Sequence, residues 1–519
     1  MAIFPTASRS AARRSGVSVM IVVLLITVVG LAVRLFQVAT ADFPKGDGGL
    51  FHAFIQDLIA HNLSLPLITS YNGGGIPFAY PPLMFYVGAI LNKFANISIL
   101  DTLRLLPALL NAGAAPAVYL LGRAIGLNLR AGLLAALACA LMPGAFASTL
   151  SGGGLTRSAG LLLGLLALWQ GADLFRNRAR MARRERAAHI AAAGVLLALA
   201  VMAHPQMGLT TVYSLAIFWA FLGRTRDSLF QLIAILLIGA LGSAPWWAGV
   251  LIRYGAGPLF AATATGSIAT RLVQVITLPL GLGGAEPSFW GFLALLGAVT
   301  CIADRRYLLP AWLAAMFLID TRIPVVYGTA PIALLGAVFL DAGVLGALEQ
   351  PARRGTAARL ARSLLLLVLI GSGLIGALDA GISGISPESR AAMAWIARNT
   401  PPDSTFVVFT NGGGGAWFTD ALDEWFPELT GRRSLATVQG REWQPDFARA
   451  SARYESLNAC AQKAVTCLEG WAAQNGVAYS HIYINTGGFD AYALRQSLAA
   501  SGRYLLIHEG PEALIYARQ

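Results

Sequence analysis

Residues 81–97 read Pro81-Pro82-Leu83-Met84-Phe85-Tyr86-Val87-Gly88-Ala89-Ile90-Leu91-Asn92-Lys93-Phe94-Ala95-Asn96-Ile97, and how this stretch is counted decides the fold. It is apolar enough to pass for a membrane-spanning helix. Its Asn92, Lys93 and Asn96, set beside Phe85 and Tyr86, instead give the mixed composition of an amphipathic helix anchored at headgroup depth. Counting it as a span would invert every later connection and put the arginine clusters outside, against the retention of positive charge in short cytoplasmic loops. The stretch is therefore expected to lie along the outer interface, as is Ile268 to Gly283.

With that choice made, the other apolar runs alternate consistently. Arg123 and Arg130 flank one inner turn, the arginines from Arg176 to Arg186 mark a second, Arg224 and Arg226 a third, Arg305 and Arg306 a fourth, and Arg353 to Arg362 a fifth. The opposite connections hold few. Spans are expected near 17–38, 102–123, 130–149, 157–175, 187–204, 208–222, 228–250, 288–303, 307–320, 326–348 and 363–381. About 11 transmembrane helices then leave the N-terminus cytoplasmic and the C-terminus outside.

Composition agrees. The 519-residue chain is 56% apolar and 12% charged with a mean hydropathy of +0.62, which excludes a soluble protein of this size and predicts an α-helical polytopic membrane protein of the cell membrane. The net charge of +12 reports topology and not a nucleic-acid partner, because the arginines sit between runs of spanning length. Arg9, Arg13 and Arg14 precede the run Val17 to Val38, which exceeds a signal-peptide core and reads as a retained first helix; Ala39-Thr40-Ala41 superficially offers a cleavage site. Cys139 and Cys301 fall in apolar runs and read as packing residues. Cys460 and Cys467 share a polar region, where a disulfide and two free thiols both fit the sequence.

After Asp379 the chain turns more polar, dividing it into a membrane part, 1–381, and an extracytoplasmic α/β domain, 382–519. Ser386-Pro387-Glu388 starts a helix that Thr400-Pro401-Pro402 stops. Runs such as Phe406 to Phe409, His481 to Ile484, Tyr504 to His508 and Ala513 to Tyr516 read as strands, with helices at Gln444 to Ala459 and Asp490 to Ala500.

The candidate chemistry gathers at the outer ends. The loop Asp42-Phe43-Pro44-Lys45-Gly46-Asp47-Gly48-Gly49 follows the first span, and glycines let another molecule approach its backbone. Asp47 is the candidate catalytic carboxylate, as a general base toward an alcohol or amine; a solvated turn residue is the bland alternative. Arg157, His204 and Arg322 sit at outer helix ends, where positive-inside retention does not explain a cation. A guanidinium grips phosphate through parallel hydrogen bonds, so these residues are candidates for holding the phosphate of a lipid-linked substrate, against snorkelling arginines and a structural histidine. Arg34 and Arg104 also fall near outer ends, where snorkelling or pairing with Asp42 or Asp101 accounts for them. The loop Ser148 to Ser158 offers a metal no carboxylate, only Gly152-Gly153-Gly154, Thr156 and Arg157, so no metal site and no cofactor are expected; Asp42 and Asp57 keep a divalent cation possible. Gly73-Gly74-Gly75 and Gly412 to Gly415 match no phosphate loop and read as flexible loops near the site. Trp417, Trp425 and Trp443 read as packing residues of the outer domain, with stacking on sugar faces as the alternative.

The order of parts resembles the polytopic glycosyltransferases of the GT-C class, including protein O-mannosyltransferases and aminoarabinose transferases. The resemblance rests on an acidic residue just after the first helix (Asp47), an interfacial stretch (Leu50 to Asn62), the element Pro81-Pro82-Leu83 and the helix start Arg104-Leu105-Leu106-Pro107. Arg322 to Leu335, with Tyr327 and Pro331, is similar to the entry of a late helix in that class, and Trp395 to Pro401 to the start of an outer domain. One departure is Gly48, where many relatives carry a second acid.

The resemblance implies transfer of a sugar from a polyprenyl-phosphate-type carrier to a lipid, glycan or protein acceptor outside the cytoplasmic membrane, with inversion. Asp47 would deprotonate the acceptor while Arg157, Arg322 and His204 stabilise the departing phosphate, and Lys45, Tyr80 and Arg104 complete the substrate-binding set. A transporter or flippase of a lipid-linked glycan is the alternative, and it would want polar or broken helices at the bilayer midplane. An oligosaccharyltransferase acting on protein would want more metal-binding acids.

Overall fold

The computed structural model describes residues 9–263, 288–319, 328–349, 355–379, 384–410 and 417–519. The expected stretch Ile268 to Gly283, the boundary at 381/382, Arg322, Tyr327 and Gly412 to Gly415 lie outside the described residues.

The first run forms α1 (Arg9–Ala39). The loop after it leads to α2 (Gly49–Ala60) and α3 (Leu83–Ala95), the two short helices of the connection that follows α1. Asn96, in the left-handed conformation at φ 55°, terminates α3, and Asn92 Nδ2 donates to Ile97 O at 3.0 Å beyond its end. The asparagines that marked the stretch as non-spanning thus end its helix.

Expected span 102–123 is two helices, α4 (Ile99–Ala112) and α5 (Ala114–Ile125), continuous enough to count as one apolar unit. Ser98 caps α4 by accepting from Asp101 N at 2.9 Å, and Gly126 ends α5 at φ 101°. Next come α6 (Leu129–Leu141), α7 (Gly154–Asn177), α8 (Arg183–Ala203), α9 (Pro205–Phe218), α10 (Arg226–Gly242), α11 (Ala244–Tyr254) and α12 (Gly257–Thr263). Then follow α13 (Ser288–Ala303), α14 (Leu308–Ile319), α15 (Thr329–Val338) and α16 (Thr356–Asp379). Among the described residues seven helices are long and apolar enough to cross a membrane, or nine if two bent pairs each count as one span. The shorter apolar helices α13 and α14 coincide with two further expected spans.

One bend has a clear cause. Pro143 has no N–H, so Cys139 O loses its helical partner, and the chain turns 80° between α6 and the segment 143–149. Arg34, fully buried, replaces the lost donors: Nη2 reaches Cys139 O at 3.1 Å, Nη1 reaches Ala140 O at 2.8 Å, and Nε reaches Asn111 Oδ1 at 2.6 Å. Asn111 Nδ2 continues to Ala145 O and Thr149 Oγ1. This corrects the expectation that Arg34 snorkels or pairs with Asp42; it is the internal brace of a broken helix.

The C-terminal α/β unit contains α17 (Pro387–Asn399), α18 (Ala421–Thr430), α19 (Phe447–Asn458), α20 (Val465–Asn475) and α21 (Tyr492–Ala500). Ser386 caps α17 by accepting from Ser389 N. Its strands are β1 (Thr405–Phe409), β2 (Arg433–Ser434), β3 (His481–Asn485), β4 (Tyr504–Gly510) and β5 (Ala513–Arg518), in the order β2-β1-β3-β5-β4. β1 runs parallel to β2 and β3, and β5 antiparallel to β3 and β4. Cys460 and Cys467 form a disulfide with Cα atoms 5.5 Å apart.

This unit is fastened to the connection that follows α1 mainly through α18. Trp425, fully buried, meets Phe43 edge-on at 4.7 Å, and Tyr71 Oη donates to Glu424 O at 2.5 Å. His52 Nδ1 lies 2.7 Å from Glu428 Oε1, and Asn72 exchanges two hydrogen bonds with the backbone of Ser434. Arg390 pairs with Asp42 at 2.7 Å and covers the Phe43 ring.

Candidate active site

Asp47 sits on a loop shaped by the glycines on either side of it. Gly46 has φ 64° and Gly48 has φ 146°, values that side chains rarely adopt, so the chain turns sharply and projects the aspartate. It meets the loop before α7. Gly152 N donates to Lys45 O at 2.9 Å and Gly153 N to Asp47 O at 3.2 Å. A Cβ on Gly152 would stand 2.2 Å from Asp47 O, so the two backbones approach only because Gly152 has no side chain.

The carboxylate lies at the N-terminus of α7, where free amides and the helix dipole favour an anion. Gly153 N donates to Oδ1 at 3.1 Å, and Arg157, one turn into the helix, donates from Nη2 to Oδ2 at 2.8 Å. The same Nη2 lies 2.9 Å from Ser151 Oγ. Each carboxylate oxygen has a second lone-pair direction with which to accept a proton. The pair is about a quarter exposed, with the side chains of Arg157 and Asp47 at 22% and 31%, so a ligand can reach it.

Tyr80 and His204 line the next turn of the same helix. Tyr80 Oη is 3.3 Å from Thr156 Oγ1, adjacent to Arg157, and the Tyr80 and His204 rings lie 6.4 Å apart. A Cβ on Gly160 would touch His204 Cβ at 3.0 Å, so α7 brings Arg157 and His204 to one side of the bundle. His204 is buried and caps α9, its Nδ1 accepting from Met207 N at 3.3 Å with Pro205 in the first turn. An accepting Nδ1 leaves the proton of a neutral ring on Nε2.

The other candidates divide. Lys45 adjoins Asp47 in the loop, but its Nζ points to Thr40 Oγ1 at 3.4 Å, and partial burial lowers the pKa of its ammonium. Arg104 pairs with Asp101 at 3.1 Å, as one sequence reading had it, and no described contact links it to Asp47. Trp425 and Trp443 are buried packing residues, and Trp417 packs edge-on against Phe418 and Phe447. Asp42 is paired with Arg390, and Asp57 accepts from Thr69 Oγ1 at 2.6 Å and Ser70 N at 3.0 Å. Among the described residues no group of three His, Cys, Asp or Glu side chains is placed to hold a metal.

Sequence reading missed Glu424. It is buried on α18, and its Oε1 accepts from Gly48 N at 3.1 Å and Leu50 N at 3.3 Å. Burial first, and then the neighbouring Asp47, push its carboxyl well above the usual range, while the two backbone donors pull the other way. A residue separated from Asp47 by most of the chain leaves no local signal.

The fold that carries this site is the GT-C fold of polytopic glycosyltransferases. Three solved structures illustrate it. The oligosaccharyltransferase AglB from Archaeoglobus fulgidus, in complex with an inhibitory peptide and a dolichol-phosphate, aligns over 90% of this chain and 69% of its own at 16% identity and a TM-score of 0.58. The arabinofuranosyltransferase AftD from Mycobacteria aligns over 96% of this chain and 40% of its own at 17% identity and a TM-score of 0.60. ArnT from Cupriavidus metallidurans, in the apo state, aligns over 98% of both chains at 16% identity and a TM-score of 0.54. No family model matches the sequence, and no curated protein matches it.

Proposed function

We propose that the chain is a glycosyltransferase of the cell membrane that moves a sugar from a polyprenyl-phosphate-type lipid to a lipid, glycan or protein acceptor on the outer side. The observation that carries the reading is the 2.8 Å Asp47–Arg157 pair, a carboxylate and a guanidinium joined at one helix N-terminus and partly exposed. A base and an anion binder in contact are what transfer from a lipid phosphate requires. The dolichol-phosphate in the AglB structure makes a lipid-phosphate donor the natural class. The outer placement is supported by the arginine pattern and by the Cys460–Cys467 disulfide, which suits an oxidising compartment. Eleven spans over 1–381 and an outer domain over 382–519 complete this reading.

In the step, Asp47 takes the proton of the acceptor hydroxyl or amine as the acceptor atom bonds to the anomeric carbon from the face opposite the lipid. The bond from that carbon to the phosphate oxygen breaks, and its electron pair leaves on the phosphate. Arg157, with His204 and Arg322, stabilises the anion, so no acid is needed to protonate it and the sugar inverts. The transporter alternative is less favoured because the carbonyls beside the Pro143 break are bound internally by Arg34.

Purified protein in liposomes, given polyprenyl-phosphate sugars with lipid, glycan and peptide acceptors, tests the proposal by mass spectrometry and product NMR. A glycosylated acceptor of inverted anomeric configuration is the expected outcome. Movement of the intact lipid-linked sugar across the bilayer without transfer would overturn it.

A further inference from the structure

The loop bearing Asp47 has two walls, one from the N-terminal loop of α7 and one from α18 of the C-terminal unit. A Cβ at Gly48 would meet both, Trp425 Cζ2 at 2.9 Å and Gly152 Cα at 3.0 Å, which explains why no second acid can stand at position 48. On the α18 side, two consecutive residues grip the peptides flanking Asp47. Trp425 Nε1 donates to Gly46 O at 3.1 Å, and Glu424 Oε1 accepts from Gly48 N and Leu50 N. Gly48 has no side chain with which to cap α2, so Glu424 supplies that cap from a distant part of the chain.

We propose that Glu424 is a positioning residue for Asp47, through which the C-terminal unit holds the aspartate's backbone in register with Arg157. The proposal rests on Asp47 acting in transfer. Burial, and then Asp47, push this carboxyl up, against the two backbone donors that its Oε1 accepts from. Glutamine, neutral and of the same shape, preserves that acceptor; alanine removes it. Tyr71 Oη, donating to Glu424 O, ties the backbone of the same residue to the segment before α3.

The test uses full-length protein with three substitutions, Glu424→Ala, Glu424→Gln and Glu428→Gln. The last removes the charge from the His52–Glu428 contact on the same interface without touching the Asp47 loop. Hydrogen exchange of a peptide covering residues 46–52 is read beside transfer kinetics. Glu424→Ala is expected to speed exchange at Gly48 and Leu50 and to lower kcat about 30- to 100-fold, the cost of a misplacement near 1 Å, with KM for the lipid donor changed less than about threefold. Glu424→Gln is expected to restore most of kcat, and Glu428→Gln to leave it near wild type. Unchanged exchange in Glu424→Ala, failure of Gln to rescue, or an equal kcat loss in Glu428→Gln would each overturn the positioning role. Undiminished transfer by Asp47→Asn would instead sink the reading of the reaction, an outcome the exchange data do not depend on.

Discussion

Gly153→Ala is the sharpest perturbation of the proposed site, because a methyl group there enters the Asp47–Arg157 pair itself. A Cβ on Gly153 would lie 2.3 Å from Asp47 Oδ2, 2.7 Å from its Cγ and 2.9 Å from Arg157 Nη2. Carbon–oxygen contacts settle near about 3.3 Å, so the carboxylate must retreat by about 1 Å. Gly153 has φ −67° and ψ −12°, which alanine adopts freely, and its N–H is kept, so the perturbation is steric and local. Overpacking costs about 1–3 kcal/mol, offset in part by the roughly 0.4–1 kcal/mol that a compatible glycine-to-alanine change returns, so the variant should fold. A displacement of about 1 Å in a catalytic group costs about 100-fold in rate. The assay is transfer from a radiolabelled polyprenyl-phosphate sugar, with melting followed in detergent to confirm folding. A folded Gly153→Ala protein with wild-type turnover would refute the reasoning.

Three further outcomes are expected. Burial, followed by Asp420 nearby, pushes the Asp423 carboxyl from 3.8 up to about 8, so the folded state binds this proton more tightly. Its stabilising effect is full below about pH 4 and is lost as pH rises toward 8; Asp423→Asn should flatten the fall in Tm across that window, and an unchanged slope would contradict it. Arg34→Met leaves the Cys139 and Ala140 carbonyls and Asn111 without their donors, and unfolding in denaturant should show a loss of roughly 2–5 kcal/mol. Transfer should survive EDTA, since Asp42 and Asp57 are engaged away from Asp47; loss restored by added Mn²⁺ or Mg²⁺ would contradict this.

Many of the apolar helices were legible because spanning length is a property of long windows. The same windows are blind to local breaks. Hydropathy runs smoothly through Gly113 and cannot show that α4 and α5 are separate helices, nor that Pro143 bends the chain sharply and makes Arg34 an internal brace. At the site, Asp47 and Arg157 were visible one by one, as charges where topology did not require them. Their contact joins residues 110 apart in the chain, and no periodicity encodes it. Gly152 and Gly153 were noted only as part of a loop without carboxylates, although each is glycine because a backbone or carboxylate occupies the space of its Cβ. Glu424 was illegible for a similar reason: its partners are backbone amides, which every sequence has. The missing acid at position 48 looked like a weakness of the site and is a packing requirement between two walls.

The most direct test of the central claim is the single-turnover rate of sugar transfer by Asp47→Asn against wild type, at saturating lipid donor and matched folding. Asparagine keeps one oxygen, which can accept from Gly153 or from Arg157, and removes the base. General-base catalysis contributes about 10²–10⁴-fold, so a rate lower by at least two orders of magnitude, with donor binding retained, is expected. Equal transfer by both proteins would contradict the assignment of Asp47.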